Sequence, residues 1–333
     1  MLEDIEAVLV QAAPETKRSS DEGDIAQLAD GRLLFVWSHY DTGSFPEAPT
    51  ELLSKTSDDD GRTWSRPFTL VPNPAKESRM CCSLLRTASG ALLLFYGVRK
   101  SNSDFQVHVC RSCDDAHNWS EPVRVTSTDG NCVMINSRVT QLVSGRIIAP
   151  VERTDDCGKS GHVIISTVFF SDDEGRTWCK SRSDISLPKR GALEPDVVEL
   201  ADRRLLMFVR TQLGQVYRSY SQDEGVTWTE AEPSGVVAPA SAHVALGRVP
   251  ATGDAVLVRT QGTSPDSLTA AISADGGESW HVREQIEPPV AGSIAYPSVN
   301  FAGERVLFTY WMRNAGGPDY MKFHSLPLAR LYR

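Results

Sequence analysis

Two series of polar side chains lie at fixed distances from six short turns in this sequence. About eight residues before the turns, the sequence has Glu22, Cys81, Asn136, Glu194, His243 or Val244, and Tyr296. About seven residues after them, it has Ser38, Gly97 with Arg99 just beyond, Glu152, Arg210, Thr260 beside Arg259, and Tyr310. Carboxyl groups and imidazoles transfer protons, and guanidinium groups bind anions. Because burying such groups without partners is costly, we expect them to line a hydrated pocket for a polar ligand.

The turns define the strands that must bring these residues together. Each turn joins two apolar segments with strand character, such as residues 32–37 and 91–96. Continuous apolar runs of this kind are typical of strands that are buried on both faces. The six turns are at Asp30-Gly31, Ser89-Gly90, Ser144-Gly145, Asp202-Arg203, Thr252-Gly253 and Gly303-Glu304.

A second repeat, out of phase with the first, predicts five further turns. Its pattern is Ser-x-Asp-x-Gly-x-Thr-Trp, and the starts of its five copies are 55, 59, 50 and 52 residues apart. The second copy has Ala116 and Asn118 in the Gly and Thr positions. In such a turn the Asp accepts backbone N–H groups, the Gly adopts a positive φ, and the Trp packs between sheets. The copies are residues 57–64, 112–119, 171–178, 221–228 and 273–280.

Together the repeats predict an all-β fold, a six-bladed β-propeller with four strands in each blade, formed by residues 1–333 as one domain. The last blade has no outer turn motif of its own. We therefore expect the N-terminal run Ala7-Val-Leu-Val10 to pair near residues 320–332 and close the ring, which removes exposed strand edges. The innermost strands of a propeller surround a central channel, so the two polar series should converge at one end of it, which we call the mouth.

Composition narrows the class of partner. The formal net charge of −9 disfavours nucleic acid and anionic membranes, and no run of 18 apolar residues predicts a membrane span. Seven cysteines form an odd set without the spacing of a disulfide framework, and no secretion signal is visible. We expect a cytoplasmic protein with reduced thiols, or a secreted one if a signal was removed. The lone Cys110-Arg-Ser-Cys113 motif has no second pair, so no metal is expected.

Beyond the repeats, the chain resembles the sialidase (neuraminidase) superfamily, and in particular its bacterial BNR-repeat proteins. The outer turns match the Asp boxes of that family, and the resemblance covers nearly the whole length. Leu193-Glu-Pro-Asp-Val-Val-Glu-Leu200, followed by Leu206-Met-Phe-Val-Arg210, is similar to the sialidase segment with a glutamate and, 16 residues later, an arginine that binds the substrate carboxylate. Ala295-Tyr-Pro-Ser298 is similar to the segment with the nucleophilic tyrosine.

The resemblance implies a retaining exo-glycoside hydrolase that removes a terminal acidic sugar, either sialic acid or a related nonulosonic acid. It implies Tyr296 as the nucleophile, Glu194 as its general base and Arg210 as a bidentate ligand for the substrate carboxylate. A carboxylate nucleophile would be repelled by the carboxylate that these sugars have at the anomeric carbon. The family places its acid/base after the first inner hairpin, where Glu47 and Asp41 are both candidates. No cofactor is implied.

The sequence departs from the family at two of the three arginines that usually bind the substrate carboxylate. An acidic pair, Asp21-Glu22, stands where the first is expected, and Thr263-Ser-Pro-Asp266 has none where the third is expected. Arg138 is the best substitute, because it is two residues from the mouth position and should face the same side, with Arg99 or Arg259 as alternatives. Asn136, His243 and Glu22 should bind other polar groups, and Glu22 favours a hydroxyl or amino group over a second carboxylate.

Two other functions stay open from the sequence. The missing arginines favour a non-catalytic, carbohydrate-binding propeller. Alternatively, the chain is a polysaccharide lyase on the same scaffold, with Tyr296 or His243 as the base and an arginine that neutralises a uronate. In each case the expected partner is a glycan or glycoconjugate, with no nucleic acid and no membrane.

Overall fold

A computed structural model describes residues 3–11, 20–40, 50–73, 77–262, 265–315 and 319–333. Asp41 and Glu47, the two acid/base candidates, lie outside the described residues. Strands dominate the described part, and its one helical segment is a short 3-10 helix, Leu328–Tyr332. No helix in these ranges is long and apolar enough to cross a membrane.

The described strands follow one another in antiparallel groups, which we call units 1 to 6. Unit 1 is β2–β5, unit 2 is β6–β9, unit 3 is β10–β14, unit 4 is β15–β18, unit 5 is β19–β22, and unit 6 is β23–β25 together with β1. The strands are β1 (Ile5–Gln11), β2 (Ser20–Gln27), β3 (Leu33–Tyr40), β4 (Thr50–Ser57), β5 (Phe68–Thr69), β6 (Ser78–Arg86), β7 (Leu92–Ser101), β8 (Asp104–Ser112), β9 (Val123–Arg124), β10 (Gly130–Val133), β11 (Thr140–Gln141), β12 (Ile147–Thr154), β13 (Ile165–Ser171), β14 (Cys179–Lys180), β15 (Leu193–Glu199), β16 (Leu205–Arg210), β17 (Gln215–Ser221), β18 (Glu232–Val237), β19 (Val244–Arg248), β20 (Ala255–Gln261), β21 (Ser267–Ser273), β22 (His281–Glu287), β23 (Gly292–Ala302), β24 (Arg305–Asn314) and β25 (Asp319–Pro327).

Hydrogen bonding divides the described strands into four sheets. Units 4, 5 and 6 are separate four-stranded sheets. Units 1 to 3 share one thirteen-stranded sheet, because short parallel pairs join β4 to β6 and β8 to β10. The described strands do not form a single closed sheet. The units nevertheless pack in sequence, with β2 against β6, β12 against β15, β15 against β19 and β19 against β23, and β23 in turn contacts β2.

The N-terminal strand completes unit 6. β1 pairs antiparallel with β25, with Ile5 opposite Ser325 and Val10 opposite Met321, so the predicted pairing of residues 7–10 is confirmed. Beyond Pro327 the chain is helical and offers no further strand for this pairing. Leu9 is 1% exposed and joins a cluster of buried residues from unit 1 and unit 6, which includes Phe35 and Phe323.

Each outer turn is stabilised by its own motif residues, as the first copy shows. The Asp59 carboxylate accepts the Thr63 N–H at 2.8 Å, and the Ser57 hydroxyl accepts the Gly61 N–H at 2.8 Å. The Trp64 indole N–H donates to the Gly61 carbonyl at 2.9 Å. Gly61 has φ 96°, a conformation that disfavours a side chain. A Cβ at Gly61 would also collide with the ring of Phe323, so this glycine lets unit 1 approach unit 6 closely.

Apolar residues between neighbouring units form the core. Trp64 lies edge-on to Phe35 of its own unit at 6.2 Å and to Phe323 of unit 6 at 5.5 Å. The buried cluster between units 1 and 2 contains Val36 and Tyr96 from their second strands. Burial of these side chains, at about 25 cal/mol per Å² of apolar surface, provides the stability that holds the inner strands in place.

Candidate active site

An unusual backbone conformation is shared by four of the predicted mouth residues. Glu22, Cys81, Glu194 and Tyr296 have φ values of 51°, 59°, 48° and 52°. Positive φ is uncommon for residues other than glycine. At each of the four, the register with the following strand shifts, as it does in a β-bulge. A bulge redirects the side chain, and all four side chains line one cavity.

This cavity has a volume of about 750 Å³ and is rich in ionisable groups. It is lined by eight of the residues predicted for the mouth and by several that were not. Among the described residues, no cluster of three or more His, Cys, Asp or Glu side chains is placed to hold a metal ion. The ionisable residues lining the cavity are Glu22, Cys81, Arg99, Glu152, Cys157, His162, Arg190, Glu194, Arg210, His243 and Tyr296.

At one side of the cavity, His243 is close to both the phenol and the acid that were predicted to act together. Its ring centroid is 4.6 Å from that of Tyr296, and its Nε2 is 3.8 Å from Glu194 Oε1. Arg210 Nη1 donates to the same Glu194 oxygen at 2.7 Å and approaches His243 Nε2 at 3.3 Å. Glu194, Arg210, His243 and Tyr296 therefore form one contiguous group, although they come from three different units.

The charges of this group follow from burial and from their neighbours. Burial lowers the pKa of His243 to about 4, so its imidazole is neutral at pH 7. Burial on its own would raise the pKa of Glu194, but His243 and Arg210 bring that pKa below its ordinary value. The group therefore holds an ionised carboxylate beside a guanidinium and a neutral imidazole. The second carboxylate oxygen, Glu194 Oε2, has no hydrogen-bond partner among the described residues.

A second carboxyl group, that of Glu152 on β12, adjoins Glu194. Glu152 Oε2 accepts the backbone N–H of Glu194 at 2.8 Å. Burial and then the charge of Glu194 raise the pKa of Glu152 to about 7. Two adjacent carboxyl groups with pKa values displaced in opposite directions can hold one proton and one charge at neutral pH.

Arg138 does not face the cavity, contrary to the expectation from the sequence. Its Nη1 pairs with Asp196 at 3.1 Å, its Nη2 donates to the Val244 carbonyl at 2.8 Å, and its side chain is 1% exposed. Arg138 and Asp196 line a different cavity. Arg259 is also directed elsewhere, since its Nη1 donates to the Val237 carbonyl. Of the substitute arginines, Arg99 alone lines the candidate site.

Asn136 was also expected to bind the ligand, and the structure gives it another position. It is fully buried, and its Nδ2 donates to the Gly23 carbonyl at 2.9 Å and the Tyr296 carbonyl at 3.1 Å. In unit 3 the positive φ falls on the next residue, Ser137, at 56°. Asn136 thus ties the mouth bulges of units 1 and 6 together and does not line the cavity.

Loop residues that sequence reasoning missed complete the cavity wall. Arg190 precedes β15, and Cys157 and His162 belong to the segment between β12 and β13. Asn102, at the turn after β7, contacts Arg99 across that turn. None of these residues lies at a fixed distance from a repeated turn, so the spacing of the repeats contained no signal for them.

The sequence of this chain is similar to a known protein family and to curated proteins. The family described as BNR repeat-like domain matches residues 31–307. A sialidase from Paraclostridium sordellii is 27% identical over 234 residues, which cover 62% of this chain and 56% of that protein. The chain therefore matches little more than half the length of this curated relative.

Solved structures resemble the chain over almost all of its length. A protein of unknown function from Dyadobacter fermentans has a TM-score of 0.81 at 20% identity, with 98% of each chain covered. Trypanosoma rangeli sialidase has a TM-score of 0.72 at 18% identity, covering 94% of this chain and 55% of that one. At these identities the likeness shows the fold alone, which is all-β and β-propeller-like.

Proposed function

This chain belongs to the BNR repeat-like domain family, and from that membership we propose that it is a sialidase-like retaining exo-glycoside hydrolase. Its substrate is a glycan or glycoconjugate that ends in an acidic sugar, either sialic acid or a related nonulosonic acid. The curated relative named sialidase and the sialidase structures support this reading.

The scaffold for this activity is a single six-bladed propeller, residues 1–333, in which each unit is one blade. The order of packing between strands of successive units, which returns from β23 to β2, supports a ring of units. In such a ring the mouth residues of different units face one central cavity, and the cavity shared by Glu22, Cys81, Glu194 and Tyr296 supports this arrangement.

The meeting of Glu194, Arg210, His243 and Tyr296 in that cavity is the observation that supports the chemistry. Tyr296 attacks the anomeric carbon, and Glu194 takes the phenol proton on Oε2, the oxygen that Arg210 leaves available. Neutral His243 packs against the phenol ring and excludes water from it. Arg210 balances the charge of Glu194 and presents the rest of its guanidinium to the substrate carboxylate.

The remaining walls determine which sugar fits. Arg99 and Arg210 supply positive charge at two places in the cavity, and Glu22 supplies a carboxylate at a third. We assign Arg99 to the substrate carboxylate or glycerol-like tail and Glu22 to a hydroxyl or amino substituent. The family resemblance implies Asp41 or Glu47 for the acid/base step, and both lie outside the described residues.

Turnover of fluorogenic sialosides and of related nonulosonic-acid glycosides tests the proposal. We expect Tyr296→Phe to lose at least 100-fold in kcat, because the nucleophilic oxygen is gone. Tyr332→Phe, which removes a hydroxyl that binds Asp254 on the surface, is the matched control and should keep wild-type activity. A 2,3-difluorosialic acid probe should label Tyr296 in the wild type and add the mass of the probe less HF, because fluoride leaves the anomeric carbon and the phenol loses its proton.

The rival reading predicts a different pattern. If the wild type binds acidic sugars, turns over none of them and acquires no label at Tyr296, the chain is a carbohydrate-binding protein. Glu22 in place of an arginine is the feature that favours this rival. Ultraviolet absorbance from a new double bond in a uronate product would indicate a lyase.

A further inference from the structure

Glu152 and Ser38 occupy equivalent positions in units 3 and 1. Each lies seven residues after the glycine of its turn, Gly145 and Gly31. The Ser38 hydroxyl accepts the N–H of Cys81, the bulge residue of the next unit, at 3.1 Å. Glu152 makes the same contact to Glu194 at 2.8 Å. A hydroxyl is thus sufficient to hold a bulge residue of the neighbouring unit, and a carboxyl group at this position exceeds that structural need.

Burying a carboxyl group at this position also costs free energy, which argues against a purely structural role. Glu152 faces Glu194 and lies within the field of Arg190 and Arg210, the cations nearest to it. Burial dominates over these cations and raises the pKa of Glu152 to about 7. The remaining charged or titratable groups of the cavity are Glu22, Cys81, Arg99, Cys157, His162, His243 and Tyr296.

The proposed ring of six units implies that Glu152 lies across the cavity from Tyr296. Glu152 belongs to unit 3 and Tyr296 to unit 6, so in a ring of six units they are opposite each other. A retaining glycosidase needs its nucleophile on one face of the anomeric carbon and its proton donor near the leaving oxygen on the other.

We propose that Glu152 is a catalytic carboxyl group of this site, which protonates the departing glycosidic oxygen. The inference rests on the proposed hydrolase function. It gives a catalytic role to a residue that the repeats placed only at the mouth and that the family resemblance did not assign.

The two half-reactions balance with Glu152 in this role. In the first, the Tyr296 oxygen bonds to the anomeric carbon as its proton passes to Glu194. The electrons of the glycosidic C–O bond go to the leaving oxygen, which takes the proton of Glu152. In the second, water attacks the anomeric carbon and gives a proton to the Glu152 carboxylate. Tyr296 departs with the electrons of its bond to the sugar and recovers its proton from Glu194.

The experiment compares wild type and Glu152→Gln on two sialosides, one with a 4-methylumbelliferyl leaving group and one with an alkyl leaving group. The Gln amide oxygen keeps the contact to the Glu194 N–H but cannot donate an acidic proton. We expect about a 10²- to 10⁴-fold loss of kcat on the alkyl glycoside and less than about 10-fold on the aryl glycoside, whose leaving group needs little protonation. The wild-type kcat should fall above about pH 7, and the variant should lack that limb of the profile.

Three further variants make the result specific. Glu152→Ser copies the Ser38 contact and should show the same dependence on the leaving group. Asp41→Asn and Glu47→Gln test the positions that the family resemblance favours, and we expect neither to show it. Melting temperatures check that the variants fold. The melting temperature of Glu152→Gln should equal that of the wild type near pH 4.5 and exceed it at pH 8. The folded pKa is raised, so the wild type loses stability as pH rises through it.

The outcomes separate this inference from the function on which it rests. Equal losses on both glycosides, an unchanged pH profile, or leaving-group dependence in Asp41→Asn or Glu47→Gln would overturn the role of Glu152 while the hydrolase stands. A wild type that turns over no acidic sugar contradicts both.

Discussion

At the scale of single residues, the Arg138–Asp196 pair shows how a buried charge is used for structure. Both side chains are 1% exposed, and Asp196 also accepts the backbone N–H of Leu246 at 2.7 Å. Arg138 in turn donates to the Val244 carbonyl, so the pair links units 3, 4 and 5. Burial raises the pKa of Asp196 to about 6 in spite of Arg138. A pair with so many fixed partners contributes to the packing of units and has little freedom to bind a ligand.

Removing one partner of this pair should be costly. We expect Arg138→Met to lower the free energy of unfolding by about 3–5 kcal/mol, because the Asp196 carboxylate stays buried without its cation. The double variant Arg138→Met/Asp196→Asn should recover part of the loss. Chemical denaturation measures both, and the affinity of the folded protein for the acidic sugar of the proposed function should not change. A loss of affinity at unchanged stability would instead assign Arg138 to the ligand.

Asn136 offers a second test at this scale. Asn136→Ala removes the side-chain donor to the Tyr296 carbonyl, at about 1–3 kcal/mol for an unsatisfied buried group. It also removes one of two donors to the Gly23 carbonyl, which keeps the Thr309 hydroxyl at 3.3 Å. We expect a lower unfolding free energy together with a reduced kcat, since the Tyr296 bulge loses its anchor. Asn118→Ala, at an exposed turn, is the control and should change stability by less than about 1 kcal/mol.

At the scale of elements, the second outer turn shows that the motif tolerates substitution. Asn118 Nδ2 bonds to Asp114 where other copies use a Thr or Ser hydroxyl, and the Ser112 hydroxyl still accepts the N–H of Ala116 at 2.9 Å. Ala116 nevertheless adopts φ 71°, in the region that favours glycine. The turn therefore keeps its geometry at a cost in backbone strain.

That strain predicts a stabilising substitution. Ala116→Gly should raise the unfolding free energy by up to about 1 kcal/mol, because the relief of strain exceeds the added freedom of the unfolded chain. Gly61→Ala, the reverse change at the equivalent position of unit 1, should destabilise by more, since φ is 96° and the Cβ meets Phe323. Thermal unfolding of the two variants checks the sign of each effect, and equal signs would contradict the explanation.

Counting from the turns predicted the mouth residues well where the strand into the turn is continuous. In units 1, 2, 4 and 6 the counted residue is the bulge residue itself. In unit 3 the incoming chain is broken into the short strands β10 and β11, and the positive φ moves from Asn136 to Ser137. A count assumes an unbroken strand, which explains why Asn136 and Arg138 were assigned to the wrong side.

At the scale of the whole molecule, the first and last segments of the chain meet in one sheet. β1 contributes an outer strand to unit 6, and Lys55 of unit 1 donates its ammonium group to the Leu9 carbonyl at 2.5 Å. Units that are distant in sequence thereby share a core. The contacts of the terminal strand β1 therefore contribute to the stability of the units that lie between the two ends of the chain.

Substitutions in β1 measure that coupling. We expect Leu9→Ala to lower the unfolding free energy by about 2–5 kcal/mol, because Leu9 is fully buried between units 1 and 6. Val8→Ala is the control, since that side chain is 54% exposed. Tryptophan fluorescence, which reports on Trp37 and Trp228 in separate units, and circular dichroism should follow one shared transition. Two separate transitions would show that the units unfold independently.

Predictability from sequence ends where the repeats end. The turns, the Asp boxes and the pairing of β1 are local or periodic features and could be read from spacing. Packing between units determines the pairing of Arg138 with Asp196 and the approach of Arg190 to the cavity. The spacing of residues along the sequence contains no information about that packing.

The bulges at Glu22, Cys81, Glu194 and Tyr296 place an acid, a thiol, a second acid and a phenol on the same kind of backbone kink. Since the kink accommodates such different head groups, the main chain and not the side chain sets the direction of each. A single substitution at one of these bulges can therefore change the chemistry of the cavity while the backbone that directs the side chain is preserved.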